Sequence, residues 1–241
     1  MSEAEATAVQ RREVIQREMA WHDEQTEKMR GTLDFLYAPP AFTDIIADAF
    51  AFLQLDGNTA VLDLASGEGK ETALMAQQGW PVISIDLSHA QLKRARQRVQ
   101  ASAPDHHVHF VQANAEQLPF ATGAFHAIYA KGIIHHLDLD LAAVELNRVL
   151  APDGRTTFTE PMAHHPLFWL GRRLTPRLRT PDEHPLTHAE LVNFANKFDH
   201  GRIQEAFLLA VVAYPLRLAP GGERPFRWLL ARLKRLDQWL M

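Results

Sequence analysis

Apolar and polar residues follow two different periods along the middle of this chain. A short apolar run leads into Asp63 and ends in a glycine-containing turn, which predicts a buried strand, and helix-forming residues follow it. From Asp63 to Pro161 the pattern predicts the order strand, helix, strand, helix, strand, strand, helix, strand. Parallel strands need crossover connections, and these are almost always right-handed. The pattern therefore predicts a layered sheet with helices on both faces.

The stretch from Ala60 to Ala73, AVLDLASGEGKETA, is the sharpest signal in the chain. Gly67 and Gly69 permit a tight turn and a close approach of a ligand to the backbone. A helix beginning near Lys70 would point its N-terminal amides at that turn. Thr72 replaces the third glycine of a dinucleotide fingerprint, and the P-loop spacing is absent. The stretch predicts a nucleotide-type site at the end of the first strand.

A second strand is predicted to end at Asp86, 23 residues after Asp63. Nucleotide-binding sheets place an acid at this position, where a carboxylate accepts hydrogen bonds from ribose hydroxyls. Asp86 is therefore the predicted ribose partner.

The two ends of the chain predict elements outside this alternation. Residues 1–30 read as a helix with a thin apolar stripe, and residues 42–55 as an amphipathic helix. Residues 202–216 are rich in β-forming residues and predict strands. Residues 226–240 predict an amphipathic helix whose apolar face packs on the core, with a dimer contact or a membrane-surface face as alternatives. That face holds Trp228, Leu229, Leu233, Leu236 and Leu240.

Composition narrows the class of protein. The chain has 241 residues, a net charge of -4 and no cysteine. The charge argues against general nucleic-acid binding, and the lack of cysteine excludes disulfides and thiolate metal sites. The polar N-terminus is unlike a signal peptide, and no apolar run has the length of a membrane span. A cytoplasmic protein is predicted, and a homodimer remains an open alternative.

The motifs, taken in order, resemble those of class I S-adenosylmethionine (SAM) dependent methyltransferases of the quinone-biosynthesis type. Residues 63–69, D-L-A-S-G-E-G, resemble that family's first motif, D-x-G-x-G-x-G. Residues 110–120 resemble its D-A-x-x-L-P-F stretch, residues 123–137 its F-D strand and H-H-L turn, and residues 146–155 its L-x-R-V-L-x-P-G-G segment. Ala65, Asn114 and His126 depart from the residues usual at their positions.

The resemblance implies a Rossmann-like α/β fold with a seven-stranded doubly wound sheet, mostly parallel with an antiparallel last strand. It also implies an N-terminal helical lid and an insertion after strand five. The predicted organisation is a lid at 1–56, a SAM-binding core at 57–161, a substrate-pocket insertion at 162–200 and completing strands and helix at 201–241.

The resemblance further implies that SAM is the cofactor and S-adenosylhomocysteine (SAH) the product. The residues implied in cofactor binding lie in the matched motifs. They are Asp63, Ala65, Ser66, Gly67, Gly69, Asp86, Leu87, Gln91, Asn114, Ala115, Glu116 and Lys131.

Histidines and acids near the strand ends are candidates for a general base, because imidazole exchanges protons near neutral pH. The candidates are His136, His164, His165, His184 and Glu160. The acceptor is predicted to contact aromatic and basic residues of the lid and the insertion, namely Trp21, His22, Tyr37, Arg172, Arg173, Arg177 and Arg179. No metal is predicted, although the histidines and acids at 164–165 and 182–184 are an alternative set of ligands.

The predicted function is methyl transfer from SAM to an oxygen, nitrogen or carbon atom of a small biosynthetic molecule. One alternative is an enzyme that uses the same pocket for cyclisation or decarboxylation. Another is a non-catalytic SAM-binding subunit. The residues themselves do not name the acceptor.

Overall fold

A computed structural model describes residues 3–28, 43–161, 169, 173, 184–205 and 209–240 of the chain. These residues form two compact units. The first contains the described residues within Met1–Arg30, Ala49–Pro161 and Arg179–His184. The second contains those within Gly31–Asp48, Met162–Leu178 and Pro185–Met241.

The first unit is built on a parallel sheet of five strands in the order β3-β2-β1-β4-β5. The strands are β1 (Val61–Leu64), β2 (Val82–Asp86), β3 (Val108–Gln112), β4 (Phe125–Lys131) and β5 (Leu150–Thr159). All four residues of β1 are buried because this strand is central and covered on both faces.

Helices α1 (Glu3–Lys28), α3 (Lys70–Gln77), α4 (His89–Ser102) and α5 (Leu139–Val149) complete this unit, and α2 (Thr43–Leu53) ends in it. Ser88 begins α4 by accepting the N–H of Gln91, and Asp138 begins α5 by accepting those of Asp140 and Leu141. Between Asp63 and Pro161 the observed order of strands and helices is the predicted one. The helices predicted for residues 1–30 and 42–55 are also confirmed.

The strand order explains why the candidate site residues lie at one edge of the sheet. Starting from β1, the chain runs outward to β2 and β3, then returns to β4 on the other side of β1. The order reverses between β1 and β4, and ligands of such sheets bind beyond the carboxyl ends of the strands at this reversal. Asp63, Asp86 and Lys131 lie at or near those ends.

The second unit contains α6 (His188–Ala195), a 3-10 helix at Ala210–Leu218 and α7 (Glu223–Leu240). Ala210 and Ala213 pack with Phe226 and Leu230 of α7 in a small apolar cluster. The prediction of strands at 202–216 is therefore wrong for residues 210–216. β-Propensity depends on context, and in this segment packing against a helix overrides it.

The inward face of α7 agrees with the predicted one in part. Leu229 and Leu233 pack against the cluster beside the buried Phe226 and Leu230, whereas Trp228 and Leu236 of the predicted face are exposed. Asp237 is buried beside the cluster and accepts the N–H groups of Leu209 and Ala210 at 2.7 and 3.0 Å. In the described part of the chain, every strand is parallel, and no helix has both the length and the apolar character to cross a membrane.

Candidate functional site

The turn between β1 and α3 has an unusual backbone that brings amide groups to the edge of the sheet. Ala65, Gly67 and Gly69 all have positive φ angles, of 54°, 55° and 71°. A Cβ at Gly69 would lie 2.6 Å from the Cβ of Ala95, so only glycine lets α3 and α4 approach so closely. The predicted glycine turn is thus present, with α3 starting at Lys70.

Asp86 lies at the end of β2 with its carboxylate facing this turn. One oxygen accepts the Gly67 N–H at 2.8 Å and the other accepts the Ser88 N–H at 2.8 Å. Burial raises the pKa of the Asp86 carboxyl above its ordinary value, while these two N–H groups act in the opposite direction. A carboxylate has about four acceptor positions, so two remain for the hydroxyls of a ligand.

Asp63, in β1, is fully enclosed next to a polar group of three side chains. The hydroxyl of Thr72 donates a hydrogen bond to its carboxylate, and Lys131 at the end of β4 forms an ion pair with Glu71. Burial raises the pKa of Asp63 to about 7, and the charge of Glu71 adds to the rise while Thr72 and Lys131 oppose it. Asp63 therefore carries a proton over much of the range below neutral pH.

The residues predicted at the adenine edge follow β3 and form a compact turn. The Asn114 side chain accepts the N–H of Glu116 at 3.0 Å, and Ala115 is buried. Glu116 in turn accepts the N–H of Asp138 at 2.7 Å. Leu87 is half-buried, and its carbonyl accepts from Gln112 at 2.9 Å. These contacts fix the shape of the turn before any ligand binds.

Side chains of helix α1 make polar contacts with the residues around this edge. Near its start, Arg11 forms a two-bond ion pair with Glu116, whose Nε–Oε2 distance is 2.8 Å. Farther along, Glu18 faces His136, His22 contacts Gln91 at 3.1 Å, and Asp23 accepts from Ser88 and from the Ala90 N–H. The helix is therefore tied to the turns after β2, β3 and β4.

The turn after β4 is held by a buried acid. Glu160 accepts the N–H groups of Ile133 and Ile134 at 2.8 and 3.0 Å, and its other oxygen lies 2.6 Å from Nδ1 of His135. The next residue, His136, lies against Glu18 at 3.3 Å. His184 is exposed, and its backbone N–H donates a hydrogen bond to the backbone carbonyl of His135 at 2.9 Å.

The structure thus brings three of the five candidate bases to one turn, while His164 and His165 lie outside the described residues. Of the predicted acceptor contacts, Trp21 is half-buried with its ring edge against His22. Arg173 is exposed and stacks over Trp169 in the second unit. Tyr37, Arg172, Arg177 and Arg179 lie outside the described residues.

Sequence reasoning missed several residues of this edge, notably Arg11, Glu18, Glu71 and Thr72. Glu18 and His22 are four residues apart in a predicted helix, which places their side chains on one face. That spacing was a usable signal. The partners Glu116 and His136 are more than a hundred residues away, and a single sequence carries no signal for them.

The three departures from the resembled motifs fit the geometry of the site. Ala65 adopts the left-handed backbone expected of the glycine it replaces. Asn114 uses its side-chain oxygen within the turn, and His126 is exposed in β4. None of the three removes a contact described above.

Comparison with known proteins agrees with this geometry. A family model described as a methyltransferase domain matches residues 62–158. The resemblance to class I SAM-dependent methyltransferases is therefore confirmed over residues 62–158. Domains of this type use SAM. The matched segment begins within β1 and ends within β5, so it covers all five strands.

The domain's relatives differ in their named activities. The chain is 31% identical to the methyltransferase GfsG of Streptomyces halstedii, over 58% of this chain and 56% of that protein. It is 39% identical to a demethylmenaquinone methyltransferase of Thermus thermophilus, over 42% and 46%. The chain therefore spans about half the length of these relatives.

A solved structure shows the same fold over a longer stretch. It is a geranyl diphosphate C-methyltransferase of Streptomyces coelicolor A3(2), in complex with Mg²⁺, geranyl-S-thiolodiphosphate and SAH. The TM-score is 0.60 at 18% identity, covering 81% of this chain and 72% of that one. At this identity the likeness concerns the fold alone.

Proposed function

We propose that this protein transfers a methyl group from SAM to a small-molecule acceptor. The observation that carries the proposal is the Asp86 carboxylate, bonded to Gly67 at the reversal of strand order within a methyltransferase domain. An acid and a glycine turn so placed match the ribose and the methionine portion of one nucleoside ligand.

In this proposal Asp86 binds the ribose hydroxyls through its two remaining acceptor positions. The turn at 65–69 lies along the methionine portion, with Asp63 and Lys131 below it. Leu87 and Gln91 lie on the adenosine side, and Asn114, Ala115 and Glu116 line the adenine edge. SAM is a cation at its sulfonium, so its arrival favours the ionised form of Asp63.

Helix α1 serves as the lid. Its contacts with Glu116, Gln91 and Ser88 involve residues of the proposed cofactor site or their immediate neighbours. A lid at this place excludes water and limits the geometries available to the two reactants. Methyl transfer is an in-line displacement at carbon, so alignment of acceptor, methyl and sulfur supplies much of the rate.

The acceptor class rests on the relatives, one of which is named for a demethylated menaquinone. We propose a small aromatic or quinol-type biosynthetic molecule, with Trp21 and His22 on the lid side of its pocket. The general base stays among His136, His164, His165 and His184. The contacts of Glu160 with two amides and His135 favour a positioning role for that acid.

The test is calorimetric titration of the purified protein with SAH, with NAD as the competing nucleotide class. We expect micromolar binding of SAH and none of NAD. Asp86→Asn should weaken SAH about 10-fold to 100-fold, because it removes the charge from two hydrogen bonds. Asp105→Asn, at an exposed acid in the turn that precedes β3, is the matched control and should bind like the parent.

Conversion of SAM to SAH in the presence of phenol and quinol acceptors then separates the alternatives. Acceptor-dependent formation of SAH supports methyl transfer. Binding of SAH with no turnover over a broad acceptor panel would favour the cyclase-type or non-catalytic alternatives. Binding of NAD in place of SAH would overturn the proposal.

A further inference from the structure

Three side chains that can ligate a metal meet where α1 crosses the turn after β4. They are Glu18 and His22, one turn apart on α1, and His136 at the end of that turn. One ligand atom from each lies within 4.8 Å of the other two. Sequence reasoning placed no metal here, because His136 is distant along the chain.

The distances between the donor atoms fit a small cation. Oε2 of Glu18 is 3.5 Å from Nε2 of His22 and 3.3 Å from Nδ1 of His136. Tetrahedral ligands at 2.0–2.1 Å from Zn²⁺ are separated from one another by roughly 3.3–3.4 Å. Two of the three edges of the site therefore have the length that a bound ion requires.

The orientation of His136 separates this arrangement from an ordinary ion pair. Its Nδ1 is buried, yet it makes no hydrogen bond within the described part of the chain. The Glu18 oxygen is close enough, but the alignment is not that of an N–H donor and its acceptor. A lone pair directed at a point shared with the other two donors accounts for this geometry.

The surroundings of His22 orient its ring. Its second nitrogen, Nδ1, lies 3.1 Å from the side-chain amide nitrogen of Gln91. Metal-bound imidazoles commonly donate their other N–H to a nearby acceptor, so metal binding here requires the Gln91 amide to be turned over with its oxygen towards Nδ1. The pair fixes the ring with Nε2 towards Glu18.

We propose that Glu18, His22 and His136 bind one divalent transition-metal ion of the Zn²⁺ class. Two imidazoles and a carboxylate are the donor set that suits such ions, whereas Mg²⁺ and Ca²⁺ prefer oxygen donors alone. The ion ties α1 to the end of β4, and its fourth position is left for water or another small ligand. With His136 as a ligand of the ion, the general base of the proposed function is one of His164, His165 and His184.

Co²⁺ titration of metal-stripped protein without a histidine tag tests the site. We expect one Co²⁺ per chain, with the intense visible absorption of four-coordinate cobalt, and displacement by Zn²⁺. His22→Ala, His136→Ala and Glu18→Gln should each weaken the metal more than about 100-fold, since even the outer partners of metal ligands count for ~10-fold to 100-fold. His126→Ala, at an exposed histidine of β4, is the control and should bind normally.

X-ray absorption at the zinc edge of the unaltered protein makes the test independent of whether the variants fold. Two imidazoles and oxygen donors at about 2.0–2.1 Å are expected. Absence of stoichiometric binding, a site without imidazole, or equal affinity in Glu18→Gln and the parent would overturn the proposal.

Discussion

Two glycines of the β1–α3 turn share a backbone conformation but differ in what surrounds them. At Gly67 an added Cβ would meet only the end of the flexible Gln91 side chain, at 2.9 Å. At Gly69 it would meet the Cβ and Cα of Ala95 at 2.6 and 2.7 Å, which belong to a packed helix. A Cβ at position 69 could therefore be accommodated only if the backbone of α4 moved.

Gly69→Ala should therefore destabilise the protein by about 2–5 kcal/mol, combining the left-handed backbone with overpacking. Gly67→Ala should cost about 1 kcal/mol, mostly from its backbone. Denaturant unfolding of the ligand-free protein measures both values. Equal losses in the two variants would show that contact with Ala95 is not what restricts position 69.

Asp63 makes the stability of the protein depend on pH in an unusual direction. Its pKa is about 7 in the folded chain against an ordinary 3.8, so the folded state holds a proton that the unfolded state has lost between those values. Stability should fall as the pH rises from about 4 to 7 and then level off. The fall is on the order of 4 kcal/mol at most, at 1.36 kcal/mol per unit.

Asp63→Asn removes this titrating group while keeping the size of the side chain and an oxygen for Thr72. As the pH is raised from 5 to 8, the free energy of unfolding of the variant should increase relative to that of the parent. Denaturant unfolding of both proteins at each pH measures this difference. Parallel pH profiles for parent and variant would mean that Asp63 is ionised throughout.

At the scale of elements, α1 depends on polar contacts more than on an apolar face. Arg11 holds its start through a two-bond pair with Glu116, whose side chain is 4% exposed while that of Arg11 is 25% exposed. Hydrogen bonds of this charged kind are stronger than neutral ones, and removal of one partner leaves the buried carboxylate without its counter-charge.

Arg11→Ala should lower the free energy of opening of α1 by about 1–3 kcal/mol, which speeds its amide exchange roughly 10-fold to 100-fold. Hydrogen exchange monitored by mass spectrometry measures it, with the amides of β1 as an internal reference. Arg12→Ala, at the exposed neighbouring position, is the matched control. If both variants exchange alike, the Glu116 pair is not what holds the helix.

At the scale of the whole molecule, the chain divides into two compact units, each with its own core. The proposed cofactor site draws on residues of the first. The second is organised around the cluster of Ala210, Ala213, Phe226 and Leu230, with Asp237 bonded to the start of the 3-10 helix.

Asp237→Asn should destabilise the second unit by about 1–3 kcal/mol, because two buried N–H groups lose an ionised acceptor. The affinity of the variant for SAH should equal that of the parent. Denaturant unfolding measures the loss of stability, and calorimetry measures the affinity. Asp199→Asn, an exposed acid of the same unit, serves as the control for stability. A loss of SAH affinity in Asp237→Asn alone would show that the two units do not act independently.

The amino-acid pattern was enough to predict the order of strands and helices from Asp63 to Pro161, the glycine turn and the place of Asp86 at the end of β2. These features rest on local properties, such as apolar period, turn residues and spacing along one βαβ unit, which are written in consecutive residues. The same locality explains the error at 210–216, where residues with high β-propensity form part of a 3-10 helix because they pack against α7.

Contacts between side chains that are distant along the chain could not be predicted in this way. The pairing of Arg11 with Glu116 and the grouping of Glu18 and His22 with His136 join α1 to turns that come much later in the chain. The raised pKa of Asp63 likewise arises from enclosure by β1, α3 and β4 together. Contacts and burial of this kind depend on how the elements pack in three dimensions, and no local pattern specifies them.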